Sequence, residues 1–224
     1  KLSNGMPLWL LERHTLPLVA VSVALPVGSA DDPPGKEGLA SITADMMDEG
    51  AGSRSAIEVS TALQDLGVSL RTSASLDGTT FSLTVLKKSF SQAFGILADV
   101  VARPRFEDKE WKRVSDLWKN ALLKRQDDPN AVARVVGQIV AYGRKHPYGH
   151  PTDGFASSAK GIDLSAVKAF YGAQYRPDKI VLSIAGDVTK AEVAAAVDDA
   201  FGSWKPAPVP AAEAHEVDTT WVRP

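Results

Sequence analysis

The chain has 224 residues, 44% of them hydrophobic and 23% charged, with a formal net charge of −2 and no cysteine. That balance excludes a disordered chain, a disulfide-stapled scaffold and a thiolate metal site. It gives no global field for nucleic acid or an anionic membrane, and no apolar run is long enough to span a bilayer.

The first residue is Lys1, not Met, directly ahead of a strand-like segment. Removal of a preceding segment, by processing or truncation, is therefore expected. Period-two alternation predicts strands over residues 7–12 and 16–25, with Val19, Val21, Val23 and Leu25 on one face. A Pro-Pro-Gly turn then leads into a helix whose inner stripe is Leu39, Ile42, Met46 and Met47. Ser41, Ala44 and Asp45 lie off that stripe, at spacings suited to gathering a metal.

Ser55-Ala-Ile-Glu58 is a capping box that opens the next helix, with Val59, Ala62, Leu63 and Leu66 inside and Gly67 at its end. Strands over 69–76 and 79–86 meet across Asp77-Gly78, a strong hairpin signal. A second box, Ser89-Phe-Ser-Gln92, is expected to cap a helix bearing Phe90, Phe94, Leu97 and Val101, which Pro104 ends. Trp111, Val114, Trp118, Ala121 and Leu122 mark a long helix to about residue 126. Asp128-Pro129 starts another, whose expected buried face is Val132, Val135, Val136, Ile139 and Val140.

Residues 143–163 are expected to form a loop around a buried Tyr148. His146 and His150 are four apart, but Pro147 and Gly149 prevent a helix from setting their geometry. A helix over 164–175, a strand over 179–185 and a third capping box, Thr189-Lys-Ala-Glu192, follow. Residues 205–224 are rich in Pro and Ala and are expected to be a linker toward a following domain. Paired strands with grouped helices predict an α+β fold: a two-layer sandwich, mostly antiparallel, with helices on one face of the sheet.

Several segments together resemble the pitrilysin/insulinase family of inverzincin peptidases, which includes the mitochondrial processing peptidases. They are KLSNGMPLWLLERHTLPLVAVSVALPVGS, DDPPGKEGLA, RQDDP, HPYGHP and IVLSIAGDV, in that order, and the resemblance covers residues 1–204. It implies one domain of a fold usually duplicated along a chain, with double units closing around a peptide. Active units carry H-x-x-E-H on the helix after GLA, two histidines for zinc and a glutamate as general base, with a further glutamate downstream.

Carried onto this chain, the two histidines fall on Ser41 and Asp45, the glutamate on Ala44 and the downstream ligand within Asn120-Ala121. The resemblance therefore implies a degenerate, non-catalytic domain with no catalytic residue and no metal of its own. Zinc is expected only in a catalytic partner half or subunit with an intact H-x-x-E-H. Peptide substrate and homo- or heterodimer formation are implied alongside, and nucleic acid is not. Two alternatives stand beside this: an active peptidase with unusual ligands, and a purely structural assembly subunit.

Asp45, with Asp48, keeps oxygen chemistry suited to a metal; the commoner role for such residues is a solvated acidic helix face. Trp111 and Trp118 are expected to pack in the core. Lys119, Lys124 and Arg125 are expected to form a solvated basic face. The lack of cysteine and the abundance of alanine suit a bacterial periplasmic or envelope protein.

Overall fold

Alternating valines on one strand determine where everything else packs. In a computed structural model, which describes residues 5–205, β2 (Leu18–Leu25) turns Val19, Val21, Val23 and Leu25 inward, and all four are buried. It pairs antiparallel with β4 (Thr79–Leu86) and with β5 (Val181–Gly186). Val21 thereby faces Leu83 and Ile184, and Val23 faces Phe81 and Leu182. The outer strands are β1 (Leu8–Glu12), parallel to β5, and β3 (Arg71–Ala74), antiparallel to β4. The sheet order is β1-β5-β2-β4-β3.

Among the described residues, seven α-helices accompany the sheet: α1 (Leu39–Met47), α2 (Ala56–Asp65), α3 (Phe90–Ala102), α4 (Asp108–Lys124), α5 (Pro129–Tyr142), α6 (Leu164–Gln174) and α7 (Lys190–Phe201). The core lies between one sheet face and the layer of α1, α3, α6 and α7. Phe94 of α3 meets Phe201 of α7 edge-on at 5.7 Å, and both are buried. Fully burying one such side chain contributes roughly 1.5–3 kcal/mol. The fold is therefore the expected two-layer α+β sandwich, with no described helix over the opposite sheet face.

Local signals hold where the backbone has no competing partner. Ser55 and Glu58 close their capping box, as do Thr189 and Glu192. Asp128 caps α5 through Asn130 N–H at 2.9 Å. The box expected at Ser89 does not form. A short 3-10 turn, residues 87–89, runs straight into α3, and Ser89 lacks the extended backbone an N-cap needs.

The strand expected over 69–76 shrinks to Arg71–Ala74. The carbonyls of Ser75 and Leu76 leave the ladder to accept from the N–H groups of Ser29 and Ala30. Gly28 permits that approach, because a Cβ there would sit 2.4 Å from both carbonyl oxygens.

The largest departure is α5. Its expected buried face is not buried: Val132, Val136 and Val140 are 39%, 52% and 68% exposed. Val135 and Ile139 are half-buried. Gln138 tethers the helix, donating to the carbonyls of Tyr148 and His150. Tyr148 itself is only half-buried, whereas His150 of the same loop is buried. The proposed linker lies outside the described residues from position 206 onward.

Candidate functional site

The site begins with the entry to α1. Asp32 is half-buried and its two carboxylate oxygens accept from Gly38 N–H and Ala40 N–H, each at 2.7 Å. It caps the helix from eight residues upstream, where no sequence motif would seek a cap. Burial pushes its carboxyl up to about 7 against the two backbone bonds that lower it. Gly38 has φ +99°, and a Cβ there would lie 2.6 Å from the Asp153 carbonyl.

The loop after α5 locks onto this entry. Ser158 donates to the Glu37 carbonyl at 2.7 Å. Trp118 of α4 donates its indole N–H to the Asp153 carbonyl at 3.0 Å. Arg125 contacts the Asp153 carboxylate at 2.7 Å and the Gly154 carbonyl at 2.6 Å. Arg125 is therefore a half-buried pin and not part of a solvated basic face. Trp118 is buried and Trp111 packs against the core, as expected.

Between α1, α4, β3 and this loop lies an open recess of about 540 Å³. Ser41, Asp45, Asp48, Glu49, Arg113 and Ala121 are among its lining residues. Ala44 does not join them: it is 0% exposed and belongs to the core. Asn120 is exposed and does not line the recess, whereas Ala121 does. His146 and His150 form no shared site. The first accepts from Tyr148 N–H, and the second faces the Pro151 carbonyl.

Charge in the recess is unevenly paired. Glu49 binds Arg113, which also contacts Glu110 at 3.2 Å. Asp45 and Asp48 have no ion pair among the described residues, although Arg113 is near enough to lower Asp48 slightly. Desolvation first, and the charge of Glu49 second, raise each of them to about 6. Asp45 is the solvent-open member of the pair and Asp48 is half-buried.

These residues do not fit zinc. A catalytic zinc site needs three nitrogen, sulfur or carboxylate ligands around an open position. Here a hydroxyl, one aspartate and a methyl group occupy the recess at 41, 45 and 121. Among the described residues, no group of three or more His, Cys, Asp or Glu side chains is placed to hold a metal ion. No described helix is long and apolar enough to cross a membrane.

Distant pairs were invisible in the sequence. His14 Nδ1 lies 2.6 Å from Asp187 Oδ1, and Lys87 reaches the same oxygen at 3.3 Å. Asp163 caps α6 through Ala166 N–H at 2.8 Å, a signal that was legible as an Asp directly before the helix.

The described residues thus form a two-layer α+β domain with a helix-lined recess beside the edge strand β3. The insulinase family model, peptidase family M16, matches residues 9–145, more than half of the chain, and the chain belongs to that family. A second model, the peptidase M16 inactive domain, matches residues 161–223.

The chain is 23% identical over 202 residues to an uncharacterized zinc protease, YmxG, of Bacillus subtilis, spanning 90% of this chain and 49% of that one. Its fold is similar to a solved peptidase M16 inactive domain from Pseudomonas fluorescens, with TM-score 0.86 and 24% identity over 95% of this chain and 52% of that one. It is also similar to the periplasmic protease PqqL from Escherichia coli, with TM-score 0.84 and 15% identity over 96% of this chain and 24% of that one. The chain thus spans about half, or a quarter, of the proteins it matches.

Proposed function

We propose that this chain is a non-catalytic unit of the M16 family that forms part of a peptide-enclosing chamber and pairs with an active half carrying an intact H-x-x-E-H. One observation carries the proposal. The supports of the α1 recess are all in place, while the residues lining it at the three positions carried over for ligands are Ser41, Asp45 and Ala121, and the neighbouring Glu49 is engaged by Arg113. A half-buried cap, a glycine with positive φ and a pinned loop hold the recess open with no donor set for zinc. Its role is then enclosure: excluding water and shaping the space in which a partner cleaves an extended peptide. The free edge of β3, beside the recess, suits contact with such a peptide.

The test has two arms. Elemental analysis and peptide hydrolysis are measured on the purified chain, and no stoichiometric zinc or turnover is expected. Affinity capture from the native source should then recover a protein or chain segment bearing H-x-x-E-H. Zinc at one equivalent with cleavage by this chain alone overturns the proposal. Capture of non-peptidase assembly components only would assign a structural role instead.

A further inference from the structure

The loop that follows α5 is folded around one imidazole. His146 N–H donates to the Gly143 carbonyl at 3.1 Å, and Gly149 N–H donates to the His146 carbonyl at 2.7 Å. Gly143 supplies a φ of +82°, and a Cβ on Gly149 would sit 1.9 Å from the Gly143 carbonyl oxygen, so the two turns are wound tightly on each other. Between them Tyr148 N–H donates to His146 Nδ1 at 3.0 Å. An N–H donates only to a nitrogen that carries no proton, so this ring is neutral, with its hydrogen on Nε2. Tyr142, stacked at 5.5 Å, and Tyr148, edge-on at 5.3 Å, hold it in that pose.

The same loop grips two elements. Tyr148 donates its hydroxyl to Asp77 in the turn between β3 and β4. The carbonyls of Tyr148 and His150 accept from Gln138 of α5 at 2.9 Å and 2.7 Å. These bonds matter to α5 because Ala131 is the one buried residue of that helix.

We propose that His146 is a proton-operated latch: a proton taken up at Nδ1 turns the acceptor of the Tyr148 N–H into a second donor, and the loop lets go of α5 and of the β3–β4 turn. Imidazole is the side chain whose ordinary titration falls between pH 5 and 8. The groups around the ring decide which contact breaks. Tyr142 presents a ring face, which attracts a cation, so the stack survives protonation. Lys145 is exposed beside it and Arg144 lies over the Phe155 ring at 5.3 Å, and neither side chain has an acceptor to offer the new proton. Asp77 is engaged by the Tyr148 hydroxyl. The loss therefore falls on Tyr148. His150, buried in the same loop, turns its own Nδ1 to the Pro151 carbonyl at 3.2 Å, where a proton is needed and not excluded. Tyr142, His146, Tyr148 and Asp77 do not line the α1 recess, so this proposal and the one above fail separately.

The test compares variants at one pH, so that every other titrating group cancels. His146→Asn keeps an oxygen acceptor for the N–H two residues on, as in an Asx turn, and has no proton to gain. His146→Leu has no acceptor at all. Amide exchange over residues 138–150 is followed by mass spectrometry in the full chain at pH 8 and pH 5.5, with the β2 and β4 amides as internal standard. The parent and H146N should exchange alike at pH 8. At pH 5.5 the parent should exchange at least about fivefold faster, the shift in open population expected when one such bond is lost. H146L should exchange fast at both. Equal exchange of the parent and H146N at pH 5.5 overturns the proposal, as does an H146L loop that stays protected. A difference as large at pH 8 as at pH 5.5 would reveal a packing defect and likewise overturn it.

Discussion

The Asp32 carboxylate accepts from the N–H of Ala40, eight residues away, at 2.7 Å, and so starts α1 from outside the helix. The same carboxylate accepts from Gly38, so two of the helix's orphan donors depend on one side chain. Asp32→Ala should therefore cost about 1–2 kcal/mol. For a domain of this size that is a fall of roughly 2–8 °C in melting temperature. Asp32→Asn keeps one acceptor and should fall between. A D32A melt that matches the parent would show that the cap does not hold α1.

Stability should decline as pH rises through the weakly acid range. Asp32 is raised from 3.8 to about 7, and Asp45 and Asp48 from 3.8 to about 6, chiefly by desolvation. A carboxyl with a raised folded pKa favours the fold most when protonated. Its contribution is full below about pH 4 and is lost as pH climbs to 6 for the recess pair and to 7 for Asp32. The D45N/D48N variant should accordingly be more stable than the parent at pH 8 by on the order of 0.5–1 kcal/mol, after screening at the open Asp45. The difference should vanish near pH 4. Denaturant midpoints at the two pH values measure it, and an equal offset at both would show that the pair does not titrate as assigned.

The pin between Arg125 and the 153–154 loop gives a different readout. Arg125→Leu removes a charge-assisted bond to Asp153 and leaves the Gly154 carbonyl without its donor. A loss of about 1.5–3 kcal/mol is expected. The loop accepts the Trp118 indole N–H at Asp153 and reaches the entry of α1 through Ser158, so it should loosen before the sheet does. Limited proteolysis should shift to residues 151–158 in R125L, with the β2–β4–β5 amides still protected from exchange. Uniform loss of protection would show that the pin stabilises the whole domain and not the recess.

Side chains with a period were legible in the sequence, and so was the fold they build. The alternation of Val19, Val21, Val23 and Leu25, the stripe of α1 and the boxes at Ser55 and Thr189 all depend on neighbours within a few residues. What the sequence withheld depends on contacts across the chain. Asp32 with Ala40, Arg125 with Asp153 and His14 with Asp187 join segments that no local pattern links. The valines of α5 misled for the opposite reason: periodicity reports that a face is apolar, not that this domain covers it. Ala44 shows the same limit inside α1. Spacing placed it with Ser41 and Asp45, but α1 is buried over more of its circumference than its stripe implied.

That burial governs any attempt to rebuild a metal centre. Ala44 is 0% exposed, so Ala44→Glu places a carboxylate against the core unless α1 turns or its neighbours part. The substitution should cost at least about 2 kcal/mol, and the carboxyl should be neutral near pH 7. Ser41→His and Asp45→His put two imidazoles one helical turn apart, facing the recess, but Ala121 offers no further ligand. The triple variant S41H/A44E/D45H should therefore take up zinc weakly, melt earlier than the parent and cleave no peptide. Adding Ala121→Glu should tighten zinc binding by at least about tenfold, since it supplies the missing carboxylate to an otherwise two-ligand site. Calorimetric titration with zinc compares the two variants. Efficient cleavage by the triple variant would show that position 121 is not where the third ligand belongs.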